Sequence, residues 1–218
     1  MAPKIIAIEG PDGAGKSTIA REIAIKLSGM GYSCRNVHSP GATIVGKSIT
    51  DIIYSDVAAR KAVSFLYMAD FAQLTYELKD SDLQYVIMDR HSCFSELVYS
   101  GIIENKELSD LMYDIYFKYM GSPLPDYTYI LNVPYEVARN RVINSDISRI
   151  NNFIDSKFVN DIEWGSSIAN RYNMLYNYIG GTTVRASEND DDIKWQSYSP
   201  SDWVNEIYSD MVNKGVVV

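Results

Sequence analysis

Cysteine and histidine are almost missing: Cys34, Cys93, His38 and His91 are the only ones in 218 residues. The two thiols stand far apart with no pairing pattern, and so few Cys and His cannot build a metal cage of those ligands, so packing cysteines are the plain reading. Basic residues are also scarce, with 20 Lys and Arg against 28 Asp and Glu, a formal charge of -8. A protein that holds long nucleic acid by neutralising its backbone needs a clustered excess of positive charge, so this balance argues against that class. Any anionic ligand must be met by a local site. No stretch reaches the roughly eighteen uncharged residues that span a bilayer, and no basic segment followed by a long apolar run opens the chain. The expectation is a cytoplasmic protein with no membrane and no nucleic-acid partner.

The 46% hydrophobic content suffices for a sizeable core, and the length suits one domain spanning residues 1–218. Apolar runs that suit buried parallel strands occur at 4–8, 33–37, 85–88, 127–133 and 182–184, separated by segments with helical spacing. That alternation predicts an α/β domain with a mostly parallel sheet. After the first run, Ser17 to Met30 carries Ile19, Ile23, Ile25 and Leu27 among charges and ends at Gly29 and Gly31, a helix with a stop signal. Residues 58–78 contain no Gly or Pro and place Val63, Leu66, Phe71 and Leu74 at three- and four-residue steps, a second helix. Residues 144–164 are polar with a broken apolar pattern and are expected to form a mobile lid rather than core. The acidic, turn-rich stretch from Ser187 to Asp202 suits a solvated loop before a last helix starting near Pro200 or Ser201. The 17 tyrosines are spread along the chain and signal nothing alone.

The sharpest motif is Gly10-Pro11-Asp12-Gly13-Ala14-Gly15-Lys16-Ser17, followed by Thr18, between the first strand and its helix. It fits GxxxxGK[ST], in which successive backbone N–H groups close around a phosphate and the helix points its positive end at it. Gly10, Gly13, Ala14, Gly15, Lys16, Ser17 and Thr18 are therefore the candidate ATP-binding residues, with Lys16 reaching the outer phosphates and Ser17 able to ligate Mg²⁺. A second motif ends the run Tyr85-Val86-Ile87-Met88 in Asp89-Arg90. Asp89 is placed to orient the metal or its waters and Arg90 to grip a second phosphate. Simple punctuation of a strand end is the alternative for both.

Together with Asp89-Arg90-His91, the loop EGPDGAGKST, Pro40-Gly41 with Thr43 and Gly46, the helix Tyr67 to Gln73, and Pro125-Asp126-Tyr127-Thr128 leading into Leu131 to Pro134 resemble the thymidylate kinase family. The resemblance runs from residue 4 to about 187. It implies a P-loop NTPase three-layer fold, α/β with a five-stranded mostly parallel sheet flanked by helices and a mobile lid. It also implies transfer of the ATP γ-phosphoryl to the 5′-phosphate of a deoxynucleoside monophosphate, most simply dTMP, with Mg²⁺. Asp12 then approaches the acceptor sugar or phosphate, Arg90 holds the acceptor phosphate, Tyr67 takes the place of the aromatic that stacks on the base, and Tyr99 lies near the deoxyribose. For Tyr67 and Tyr99 a place in the core is an equal alternative. Arg149 matches the family's catalytic lid cation, with Arg141 and Lys157 as substitutes. The ATP adenine is expected near Arg185-Ala186-Ser187, and homodimers are common in the family.

Three departures bear on the acceptor. Phe71 stands where the family has an arginine that donates to a thymine carbonyl, and it cannot donate. Glu96 stands where an amide or small polar group is usual; its carboxylate would accept protons from a base edge, unless it faces solvent. His38-Ser39 replaces an Arg-Glu pair. Another acceptor, such as dGMP, dUMP, a modified pyrimidine nucleotide or a deoxynucleoside, therefore stays open. So does a nucleotide-binding regulator with little transfer activity.

Overall fold

A computed structural model describes residues 2–55, 60–79, 81–145, 153–180, 183–185 and 199–217. Five strands form one sheet: β1 Lys4–Glu9, β2 Cys34–His38, β3 Tyr85–Asp89, β4 Tyr127–Ile130 and β5 Thr183–Arg185. All pairings are parallel, in the order β2-β3-β1-β4-β5. Parallel sheets are covered on both faces, which is why β1 and β3 read as unbroken apolar runs instead of alternating ones. Helices α1 Lys16–Gly29, α2 Ile44–Ile53, α3 Arg60–Lys79, α4 Ser92–Tyr99, α5 Lys106–Asp114, α6 Tyr135–Ile143, α7 Phe153–Asn160, α8 Ile162–Ile179 and α9 Pro200–Asn213 flank it. The last begins in a capping box between Ser199 and Asp202 with Pro200 at its first turn. Among the described residues no helix is long and apolar enough to cross a membrane.

The predicted strands are all present, but the fourth stops at Ile130 instead of Val133. Its neighbour β1 ends at Glu9, and Gly10, at φ 145°, turns the chain away, so 131–133 lose their edge partner after one bond from Leu131 N–H to the Glu9 carbonyl at 2.8 Å. In α1, Ile19, Ile23 and Leu27 are buried as expected, while Ile25 faces outward.

Part of the segment expected to form the lid packs as core. Residues 146–152, including Arg149, lie outside the described part, but 153–164 form α7 and the start of α8 and are fastened to the core. Phe158 is fully buried and Val159 nearly so. Tyr135 donates its hydroxyl to the Phe158 carbonyl at 2.9 Å, and Arg139 Nε donates to that of Val159 at 2.8 Å. The apolar residues of this short helix come in two adjacent pairs, Phe153-Ile154 and Phe158-Val159, too little pattern to show periodicity in sequence.

Register aligns Ile8 with Asp89 across β1 and β3, and His38 with Asp89 across β2 and β3. Glu9, His38 and Asp89 therefore emerge together at the carboxyl ends of neighbouring strands. β1 lies where strand order reverses from one side of the sheet to the other, the usual place for a ligand crevice in an open α/β sheet.

Candidate active site

The loop after β1 opens into a cleft of about 940 Å³ at that crevice. Asp12, Gly13, Gly15, Lys16, Ser17 and Thr18 line it. Gly13 cannot be another residue without rearrangement: its φ is 78°, and a Cβ there would lie 2.1 Å from the Ala138 carbonyl oxygen of α6. Gly10 and Ala14 shape the loop from behind, since Ala14 is buried in the core and neither faces the cleft. Lys16 is 5% exposed and donates to the Pro11 carbonyl at 2.8 Å. Burial, then the Arg90 charge, brings its ammonium down to about 8.

Arg90 follows β3 in a left-handed conformation, φ 75°, unusual for a residue with a side chain. Its Nη2 forms an ion pair with Asp12 and donates to the Tyr99 hydroxyl at 3.0 Å. Its Nη1 donates to the Tyr172 hydroxyl at 2.8 Å and the Gly10 carbonyl at 3.3 Å. The Tyr99 hydroxyl donates to Asp12 Oδ2 at 2.7 Å. Burial pushes the Asp12 carboxyl up, but Arg90, Lys16 and Tyr99 outweigh it and hold the group below its ordinary range. Burial works against the Arg90 cation too, yet the hydroxyls and carboxylates around it keep it protonated.

Asp89 is 3% exposed. Its Oδ2 bonds His38 Nδ1 at 2.9 Å, whereas its buried Oδ1 has no hydrogen-bond partner among the described residues. Burial raises this carboxyl, but His38, Lys16 and the Ser17 hydroxyl overcome that and hold it at about 2. An ionised, orphaned oxygen beside a serine hydroxyl suits Mg²⁺, which keeps most of its waters and takes few protein ligands. No cluster of three or more His, Cys, Asp or Glu able to cage a metal exists among the described residues, and Mg²⁺ on a phosphate ligand needs none.

The cleft also has apolar and aromatic walls, with Ile53, Tyr54, Val63, Tyr67 and Trp164 lining it. Tyr67 is half-buried there. Glu96 lines the cleft too, 4% exposed, and accepts the Ser64 hydroxyl, so it does not point to solvent. Phe71 is not brought to the cleft. It lies 1% exposed in an aromatic cluster, its ring 4.4 Å from His91 and 5.7 Å from Tyr116. Without a donor at its tip, this side chain gains more from burial than from facing a polar ligand. Arg141 and Lys157 line the cleft as well.

A family model described as "Thymidylate kinase" matches residues 8–183. The chain belongs to the thymidylate kinase family. Relatives include the thymidylate kinase of Carboxydothermus hydrogenoformans, 34% identical over 65% of this chain and 71% of that protein. The "probable thymidylate kinase 1" of Saccharolobus solfataricus is 33% identical over 65% and 71%. That of Thermosipho melanesiensis is 29% identical over 66% and 73%. Membership makes the chain a nucleoside monophosphate kinase, a phosphotransferase.

Other residues of the resemblance turn out to be joints. Asp70 on α3 accepts the Thr43 hydroxyl at 2.5 Å and the Gly41 N–H at 3.2 Å, while Thr43 caps α2 by accepting the Gly46 N–H at 2.9 Å. A Cβ on Gly46 would run into Asp70 Oδ1 at 2.4 Å. Sequence reasoning assigned no role to Glu9, Tyr172, Ser95 or Trp164. Glu9 stood in view as the first letter of the loop motif, but Tyr172 lies 82 residues from Arg90, and nothing distinguishes it among the tyrosines.

Proposed function

We propose that this chain transfers the γ-phosphoryl of ATP to the 5′-phosphate of a deoxynucleoside monophosphate in the cytoplasm. The acceptor to try first is dTMP, which the relatives' names imply. A single nucleoside-monophosphate-kinase-like domain over residues 1–218 carries the reaction. The observation behind this reading is that a phosphate loop and an arginine held by a carboxylate face one cleft that aromatic side chains also line.

Phosphoryl transfer asks little covalent chemistry of a protein, so positioning and charge neutralisation are the work. The N–H groups of Gly13 and of Gly15 to Thr18 cradle the donor phosphates, and Lys16 exchanges its bond to Pro11 for a phosphate oxygen. Arg90 takes the acceptor phosphate, with Asp12 setting its direction and Tyr99 standing beside the sugar. Ser17 and Asp89 would hold Mg²⁺, which neutralises charge on the donor phosphates when bound. Arg149 keeps its proposed role as catalytic cation, with Arg141 and Lys157 as cleft-lining substitutes. A further reading, favoured by the buried Glu96, is an acceptor base with more N–H donors than thymine, guanine above all.

The test is to incubate the protein with ATP, Mg²⁺ and each of dTMP, dUMP, dGMP, dCMP, dAMP and thymidine, and to separate the products. A nucleoside diphosphate from any monophosphate supports the kinase reading, and the acceptor that dominates identifies the base. ATP binding without product from any of them overturns it in favour of a nucleotide-binding regulator.

A further inference from the structure

The hydrogen bonds of Arg90 divide into two sets. Those of Nη2 go to Asp12 and Tyr99, which line the cleft. Those of Nη1 go to the Gly10 carbonyl and the Tyr172 hydroxyl, which do not, and Tyr172 is 1% exposed. The four Nη protons of a guanidinium thus have four partners. A phosphate oxygen entering from the cleft gains Nη2 only by displacing Asp12 or Tyr99. The buried set must hold the fork meanwhile.

Behind Tyr172 stands Glu9, fully buried at the end of β1. Its Oε2 accepts the Tyr172 hydroxyl at 3.2 Å and that of Ser95 at 3.3 Å. Its Oε1 accepts the backbone N–H of His91 at 2.6 Å. That N–H belongs to the peptide that leaves Arg90 in its left-handed conformation, while the Arg90 N–H donates to the Ile8 carbonyl at 3.1 Å. Such a backbone persists only where its surroundings determine it from several sides. One carboxylate therefore reaches the arginine by two routes, the peptide that follows it and the Tyr172 hydroxyl to which its guanidinium donates.

We propose that Glu9 and Tyr172 are positioning residues for Arg90, keeping its fork aimed into the cleft while its bonds to Asp12 and Tyr99 are exchanged for an acceptor phosphate. The catalytic consequence rests on the reading of Arg90 as the acceptor-phosphate grip; the positioning itself does not. Neither residue lines the cleft, so neither is expected to touch substrate.

Tyr172→Phe removes one hydroxyl and keeps the ring, and Glu9→Gln keeps the size and one oxygen to accept the His91 N–H. The first readout needs no catalysis: NMR of arginine side-chain nitrogens, with Arg90 assigned by its disappearance in Arg90→Lys. The comparison is made in an Asp12→Ala/Tyr99→Phe background, where neither cleft-side bond holds Nη2. That protein is expected to show two resolved Nη resonances, because the buried set alone blocks rotation about Nε–Cζ, and adding Tyr172→Phe or Glu9→Gln is expected to merge them. Unresolved signals in the background protein, or resolved ones in both added variants, overturn the positioning role. The second readout is steady-state kinetics, where the acceptor KM should rise on the order of tenfold or more, as for a lost bond to a charged group. The KM for ATP should stay within about twofold, and Glu9→Gln should be milder than Glu9→Ala. Equal rises in both KM values together with a lower Tm mark a merely structural effect and overturn the proposal. Merged Nη signals in a protein that phosphorylates no acceptor uphold the positioning and overturn the kinase reading instead.

Discussion

Replacing His91 by phenylalanine should remove a pH dependence of folding stability while leaving the fold intact. The imidazole is fully buried, 4.4 Å from the Phe71 ring, 4.6 Å from that of Phe94 and 5.5 Å from that of Phe117. Neither ring nitrogen makes a well-formed hydrogen bond. Burial brings the group down from 6.5 to about 3, and the Pro123 carbonyl offsets this only in part. The unfolded chain therefore takes up a proton near pH 6.5 that the folded chain refuses until about pH 3. The neutral histidine costs nothing in this respect above pH 6.5, and stability is lost progressively as pH falls from there toward 3. At 1.36 kcal/mol per unit, the loss from this residue at pH 5 is about 2 kcal/mol. Urea unfolding of wild type and His91→Phe should be measured at half-unit steps from pH 5 to 7.5. The stability difference between the two proteins should move by about 2 kcal/mol in favour of the variant as pH falls, since pH effects of the carboxylates common to both cancel. At pH 7.5 the variant should equal or exceed wild type, because it replaces two buried nitrogens lacking good partners with carbon. Two curves that stay parallel over the whole range would refute the reasoning.

Gly13→Ala should destabilise the protein by at least about 2 kcal/mol and abolish nucleotide binding, because its Cβ would press on the Ala138 carbonyl from a left-handed backbone; calorimetric melting and ATP titration check this. Arg90→Lys keeps a positive charge but not the fork shared by Asp12, Tyr99 and Tyr172, so acceptor kcat/KM should fall on the order of a hundredfold with ATP affinity nearly unchanged. An equal loss of ATP affinity would place Arg90 on the donor instead. Glu96→Gln should change the ranking of acceptor bases, raising kcat/KM for dTMP relative to dGMP by roughly tenfold, and a ratio that does not move would take Glu96 out of base selection.

Much of the molecule was legible in one dimension. The strand, loop and helix around Lys16 follow from an apolar run, glycines at fixed offsets and a 3.6-residue repeat, all of them local properties of the backbone. Asp89 and Arg90 could be found because a strand end is visible where an apolar run stops. Thr43 and Asp70 were noticed by resemblance, but their bond to each other is a contact between two helices that no spacing reveals. Phe71 shows the same limit. One turn after Tyr67 on α3 suggests the same face, but the side chain's preference for the aromatic cluster depends on rings from distant segments.

The sequence by itself determined the parallel α/β order, the phosphate loop and the pair Asp89-Arg90, because each depends on neighbours within a few residues. Tertiary structure alone decided which partners aim Arg90, since Glu9 and Asp12, Tyr99, and Tyr172 come from three separate segments that converge on it only in the folded domain. It alone made His91 a neutral core ring and Glu96 a cleft carboxylate, two outcomes for polar residues on either side of one helix start. Burial is a property of everything that surrounds a side chain, and that is set by the packing of the whole domain.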